Sequence, residues 1–314
     1  MSEEAATERT GVLPVLAVIG AALVWGTLWI PMRQIDQAGI TGGWSPVLIF
    51  GTASAIMLPL AAIRWRRLVA GGWPLILVGT ATGSSTVLFA DALIYGEVAR
   101  TILIFYMLPV WTTLFGRLIV GDRITLARGL TVACGLTGLV IVLGYRGGVP
   151  LPRTVPEWMT VASSLLFALS ITFMRVTRAL PDFEKVAIQF LTGALFAVAL
   201  TCVPQIASYG TPDRATMIAV LPWAAAAAFL LILPGMWMNF WGARWLAPGL
   251  VGILMMTEVL FGVVSAHFVA GESLGPSELA GGALILGAGL ADILIHNPGR
   301  LSSLFRRRSR AGRV

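Results

Sequence analysis

The sequence predicts an all-α integral membrane protein: ten transmembrane helices arranged as two inverted five-helix repeats. Three observations carry this expectation. First, 57% of the 314 residues are hydrophobic and only 12% are charged, which is more apolar surface than a soluble domain of this size can hide from water. Second, the apolar residues fall in runs of about 20, the length a helix needs to cross a hydrocarbon core of about 30 Å. Third, the chain repeats itself weakly, at a spacing that divides the runs five and five.

In chain order the runs cover roughly residues 11–31, 44–63, 73–94, 98–120, 124–144, 155–174, 185–203, 218–241, 247–270 and 276–295. They lack the polar faces that a soluble helical bundle needs, and they leave no room for a soluble domain. The first follows an acid-rich leader, "MSEEAATERT", and continues past the length of a signal peptide, so it is expected to be a retained span. Cys134 and Cys202 lie in or at the end of runs, without CxxC spacing, and are expected to be packing residues.

Charge sets the expected orientation. With the N-terminus in the cytoplasm, 17 Lys and Arg residues fall inside and 5 outside, accounting for all 22. This is the positive-inside pattern, with both termini cytoplasmic. The net charge of +7 then calls for no nucleic acid. The "RRRSR" tail, Arg306–Arg310, is expected to anchor the chain beside anionic membrane lipid.

The repeat shows at two shifts. A shift of 150 sets Trp73 on Trp223, Tyr95 on Trp245, Gly121 on Gly271 and Asp122 on Glu272. A shift of 142 sets "WGTLWIPMR" (Trp25–Arg33) on "FALSITFMR" (Phe167–Arg175). The halves are residues 1–150 and 151–314, the second carrying the basic tail. Five crossings bring the second half in from the opposite side, so the two are related by a pseudo-twofold axis in the membrane plane. That is a transporter architecture, with the substrate site near the midplane where the halves meet.

Three stretches carry a family likeness: "LVWGTLWIPMR" in run one, "LPVWTTLFGRLIVGDRIT" (Leu108–Thr125) and "TEVLFGVVSAHFVAGESL" (Thr257–Leu274). They resemble the drug/metabolite transporter superfamily, in its EamA-type branch. Typical members carry Glu-Pro-Val where this chain has Glu258-Val259, and Gly-Glu where it has Gly121-Asp122. As a whole the chain is most similar to the aromatic amino-acid exporters of bacterial inner membranes in that family. The resemblance implies a central cavity lined by runs one, three, four, six, eight and nine, with five and ten as scaffold. It implies export of a small molecule, an amino acid and an aromatic one foremost, without a cofactor.

Candidate site residues follow run by run. In run three, "GTATGSST" (Gly79–Thr86) offers Thr82, Ser85 and Phe89 to a cavity, while Gly79 and Gly83 form a GxxxG suited to close helix packing. Run eight carries Pro234-Gly235, which weakens the helix at mid-depth. Asn239 follows, able to hold either end of an amino acid or to tie two helices. Trp237, Trp241 and Trp245 form a stripe; Trp245 reads as an interfacial anchor, the other two as cavity or core. Run four offers Tyr106, on a face with Ile102, Pro109 and Thr113; runs one and six offer Trp25 and Thr27, and Phe167 and Ser170. Glu258 lies about 15 Å deep in run nine, where a carboxylate facing lipid is costly by roughly 3 kcal/mol or more. It is therefore expected to face inward, with Met255, Gly262 and Ser265 beside it. Its role there is substrate binding, proton carriage or a structural hydrogen bond.

An intramembrane enzyme is disfavoured. The chain holds no HExxH and no GxSxG, and its two histidines, His267 and His296, lie on different runs near opposite faces. Neither a metal site nor a catalytic set is expected. Without a Walker motif, the chain does not drive transport with ATP on its own. Oligomeric state leaves no mark in the sequence.

Overall fold

Backbone polar groups within a bilayer must find partners inside the protein, and long apolar runs meet that demand as helices. The computed structural model describes residues 12–40, 43–96, 98–143, 152–203, 211–270 and 275–296, and no strand occurs among them. The leader, the basic tail and the Gly271-Glu272 pair lie outside the described residues.

The first run forms α1 (Val12–Thr27) and the short α2 (Trp29–Gln37). The second is α3 (Trp44–Ile63), and α4 (Trp65–Ala70) links it to α5 (Gly72–Tyr95), the third. The fourth is made of α6 (Val98–Phe105), α7 (Leu108–Phe115) and a π-helical turn (Gly116–Val120), and α8 (Leu126–Val142) is the fifth. The second half begins with α9 (Val155–Val176), α10 (Asp182–Leu200) and α11 (Arg214–Ala227). It continues through a second π-helical turn (Ala228–Ile232) into α12 (Leu233–Ala243), then α13 (Pro248–Met255), α14 (Thr257–Ala270) and α15 (Pro276–His296). Among the described residues, seven helical stretches are long and apolar enough to cross a membrane. Three further apolar helices are shorter, at Val12–Thr27, Leu126–Val142 and Leu279–Asp292.

The helix pairings exchange when the halves are exchanged. α9 packs on α5 as α1 packs on α12, and α9 packs on α7 as α1 packs on α14. The pairs α8 with α15 and α3 with α10 each join equivalent elements, and α7 packs on α13. Glycines permit the closest approaches. A Cβ on Gly83 of α5 would lie 2.9 Å from the Gly193 nitrogen of α10, and one on Gly79 would lie 2.7 Å from Ile188 Cβ. The GxxxG of run three is thus the α10 contact.

The scaffold pair α8 and α15 is stapled by charge. Arg128 Nε lies 3.0 Å from Asp292 Oδ1, with both side chains buried. Thr131 Oγ1 donates to the same oxygen at 3.2 Å. Large apolar side chains are exposed around the bundle, Leu126 at 82% and Phe268 and Ile63 at 79% among them, as a lipid-facing surface requires. Cys134 Sγ sits 3.8 Å from Leu284 O of α15. Cys202 is exposed at the end of α10 and so is not the packing residue expected from sequence.

Candidate functional site

The fourth and ninth runs are each broken half-way, in one register. α6 ends at Phe105 and α13 at Met255, positions the 150-residue shift superimposes. In the fourth run the cause is Pro109, which has no N–H to offer Phe105 O. Met107 N–H bonds Ile104 O at 3.2 Å and Val110 N–H bonds Met107 O at 2.9 Å, each only three residues back. The freed Phe105 O accepts instead from Ser164 Oγ of α9, at 2.8 Å.

In the ninth run the counterpart of Pro109 is Val259. Its N–H exists, yet it bonds Met256 O at 3.2 Å. Thr257 Oγ1 donates to Leu254 O at 2.7 Å, which helps end α13. Met255 O accepts from Tyr106 OH at 3.2 Å. A hydroxyl from a neighbouring helix therefore serves each break, as buried carbonyls demand.

A cavity of about 420 Å³ adjoins the breaks, within the roughly 300–1,000 Å³ common for small-molecule sites. Trp25, Phe50, Phe89 and Tyr106 form an aromatic wall; Ile102 and Val263 add aliphatic surface. Thr86 and Glu258 are the polar side chains besides the tyrosine hydroxyl and the indole. A smaller cavity of about 30 Å³ lies among Trp25, Ser85, Phe89, Phe105, Phe167, Met255 and Glu258. Glu258 lines both.

Glu258 stands in the first turn of α14, a helix end that favours negative charge. Its carboxyl group and the Tyr106 hydroxyl are close enough to interact. The indole Nε1 of Trp25 is buried without a hydrogen-bond partner. α1 crosses α14 at Gly26, where a Cβ would press on the Glu258 carbonyl oxygen and lie 2.8 Å from Phe261 Cβ. Of the residues expected beside the acid, Met255, across the break on α13, and Gly262 line the cavities with it; Ser265 lines neither, and its Oγ lies 3.5 Å from Gly26 O.

Of the sequence candidates, Trp25, Ser85, Phe89, Tyr106, Phe167 and Glu258 converge on these cavities. Thr82 and Ser170 are hydrogen bonded to each other between α5 and α9, behind the cavity wall. Thr27 turns back on its own helix, bonding Leu23 O at 2.9 Å. Asn239 is fully buried, with neither amide atom hydrogen bonded, and lines neither cavity. Trp237 and Trp241 stack at 6.2 Å and 14°, and Trp237 borders an outer groove with Phe183 and Phe229. The helix at Pro234 is not unwound; the preceding turn is widened, so that Leu233 N–H reaches Ala228 O. The wheel face joining Tyr106 to Pro109 and Thr113 is lost because the break lies between them.

Sequence reasoning missed Thr86, Phe105 and Phe50 as lining residues. Phe105 was within reach, since it packs 4.2 Å from the Phe89 ring and precedes Tyr106 on a short helix.

At one end of the bundle the helices are tied together. Ser85 Oγ donates to Ser163 O at 2.8 Å, and Ser163 Oγ donates to Ser85 O at 2.7 Å. Nearer that end, Arg244 Nη1 lies 2.9 Å from Asp182 Oδ2, and Lys185 Nζ lies 3.4 Å from Asp182 Oδ1. Arg64 pairs with Glu184 at 3.5 Å and Arg175 with Asp122 at 3.7 Å. The cavity extends the other way, toward Leu93 and Leu143.

A search of curated proteins finds no match. A solved crystal structure, described only as that of a protein, superposes with a TM-score of 0.70 at 18% identity. It covers 90% of this chain and 96% of that one, a likeness that shows the fold. The model of the EamA-like transporter family matches both halves, over residues 12–144 and 155–291. The chain belongs to the EamA-like transporter family.

Proposed function

We propose that this transporter exports amino acids, aromatic ones foremost, through the cavity between its halves. The halves are residues 1–150 and 151–314, ten spans in all, inverted with respect to each other in a bacterial inner membrane with both termini in the cytoplasm. The exchange of helix pairings between the halves supports the inversion. The observation that carries the substrate assignment is one acid, Glu258, set in a cavity walled, apart from Thr86, by aromatic and aliphatic side chains. Such a site takes a flat apolar group by stacking and area burial. Trp25, Ser85, Phe89, Tyr106, Phe167 and Glu258 are the residues we assign to it.

With the assigned orientation the ion-paired end faces the cytoplasm and the cavity reaches toward the outside, the direction in which we assign release. Counterflow in proteoliposomes tests the proposal, using labelled phenylalanine, tryptophan, tyrosine, methionine and threonine. Exchange of the three aromatic amino acids above the other two is expected. Exchange of threonine alone, or of none of the five, overturns the assignment.

A further inference from the structure

We infer that the site recognises the amino end of its substrate and provides nothing for a carboxylate, so that arylalkyl amines bind it better than the amino acids themselves. This rests on the cavity being the substrate site.

The charge inventory carries the argument. Among the described residues, the cavity lining contains one acidic side chain, Glu258, and no lysine, arginine or histidine. The buried or half-buried basic groups nearby are committed elsewhere. Arg128 is paired with Asp292, Lys185 and Arg244 with Asp182, Arg64 with Glu184, and Arg175 with Asp122. Asn239, the amide that would suit a carboxylate, lines neither cavity.

A carboxylate entering this space would meet Glu258 at close range and the electron-rich rings of Trp25, Phe89 and Tyr106, with no cation among the described lining residues to offset its lost hydration. An ammonium group meets the opposite conditions. It supplies a positive charge and three donors to an acid that otherwise faces apolar walls. The same ring faces attract a cation within about 6 Å. The one hydroxyl proton of Tyr106 is already given to Met255 O. The unpartnered Trp25 Nε1 is a single neutral donor, suited to a carbonyl or hydroxyl.

The test is titration calorimetry of the full chain in lipid nanodiscs with three probes of one ring size: 2-phenylethylamine, phenylalanine and 3-phenylpropionate. The inference predicts that the amine binds about tenfold or more tightly than phenylalanine, and that the propionate does not bind. Glu258→Gln should lose amine binding while keeping the thermal unfolding profile of the parent. Should that variant misfold, Glu258→Asp replaces it, with amine binding weakened as the expected result. If the propionate binds as well as the amine, or either folded variant binds the amine unchanged, the inference fails. Tightest binding by phenylalanine overturns it and leaves the amino-acid assignment standing. Amine binding without phenylalanine binding supports it and sinks that assignment. Binding by none of the three overturns both.

Discussion

Tyr106→Phe isolates the contact that joins the two broken helices. The substitution keeps the ring, its packing on Phe105 at 5.5 Å and its place in the cavity wall. It removes only the hydroxyl that donates to Met255 O at 3.2 Å and interacts with Glu258. Tyr106 and Met255 are 1% and 2% exposed, so water does not replace the lost donor. A buried acceptor left without a partner costs about 1–3 kcal/mol, and the apolar term hardly changes. The expected loss of stability is therefore about 1–3 kcal/mol, read by reversible unfolding in mixed detergent micelles. The double variant with Glu258→Gln should depart from additivity by about 0.5 kcal/mol or more, since the two side chains interact. A change within about 0.5 kcal/mol for Tyr106→Phe, the range of an inconsequential substitution, together with additive behaviour, would refute the bridging role.

Three further outcomes follow from the same geometry. Val259→Pro should cost about 1 kcal/mol in that assay, because only the bond to Met256 O is lost; Val263→Pro, inside α14, should cost about 3 kcal/mol or more. Arg128→Met should destabilise by about 3–5 kcal/mol through the stranded Asp292, and adding Asp292→Leu should recover most of it. At the start of α11, outside the spans, Asp213 accepts from Thr216 N–H at 2.7 Å and from Thr216 Oγ1 at 2.8 Å. Those bonds, the backbone one first, hold its carboxyl below its ordinary value of 3.8. The cap's contribution is thus present above that value and fades as pH falls through the lower folded one, and an NMR titration of Asp213 should show a midpoint under 3.8.

Much of the site was legible because a carboxyl group in an apolar run has few places to go. Glu258 pointed inward, and the wheel drawn from it found Met255 and Gly262. The aromatic candidates divided by facts that a wheel does not carry. Trp25 and Trp237 both look like cavity residues in sequence, but α1 turns one toward α14 while α12 turns the other toward an outer groove. The break in the ninth run was not legible at all. Val259 carries no proline signal; the discontinuity is held by Thr257 within the chain and by Tyr106 from 149 residues away. Local sequence cannot announce a break whose partner is supplied by the other half.

Counterflow of labelled phenylalanine by paired alanine variants tests most directly whether the central cavity is the transport site. Trp25 lines both cavities, whereas Trp237 is 48% exposed on the outer groove. The predicted result is exchange by the parent, exchange retained in Trp237→Ala and exchange lost in Trp25→Ala, with both variants inserted and folded. Loss in Trp237→Ala with retention in Trp25→Ala would contradict the placement of the site between the halves.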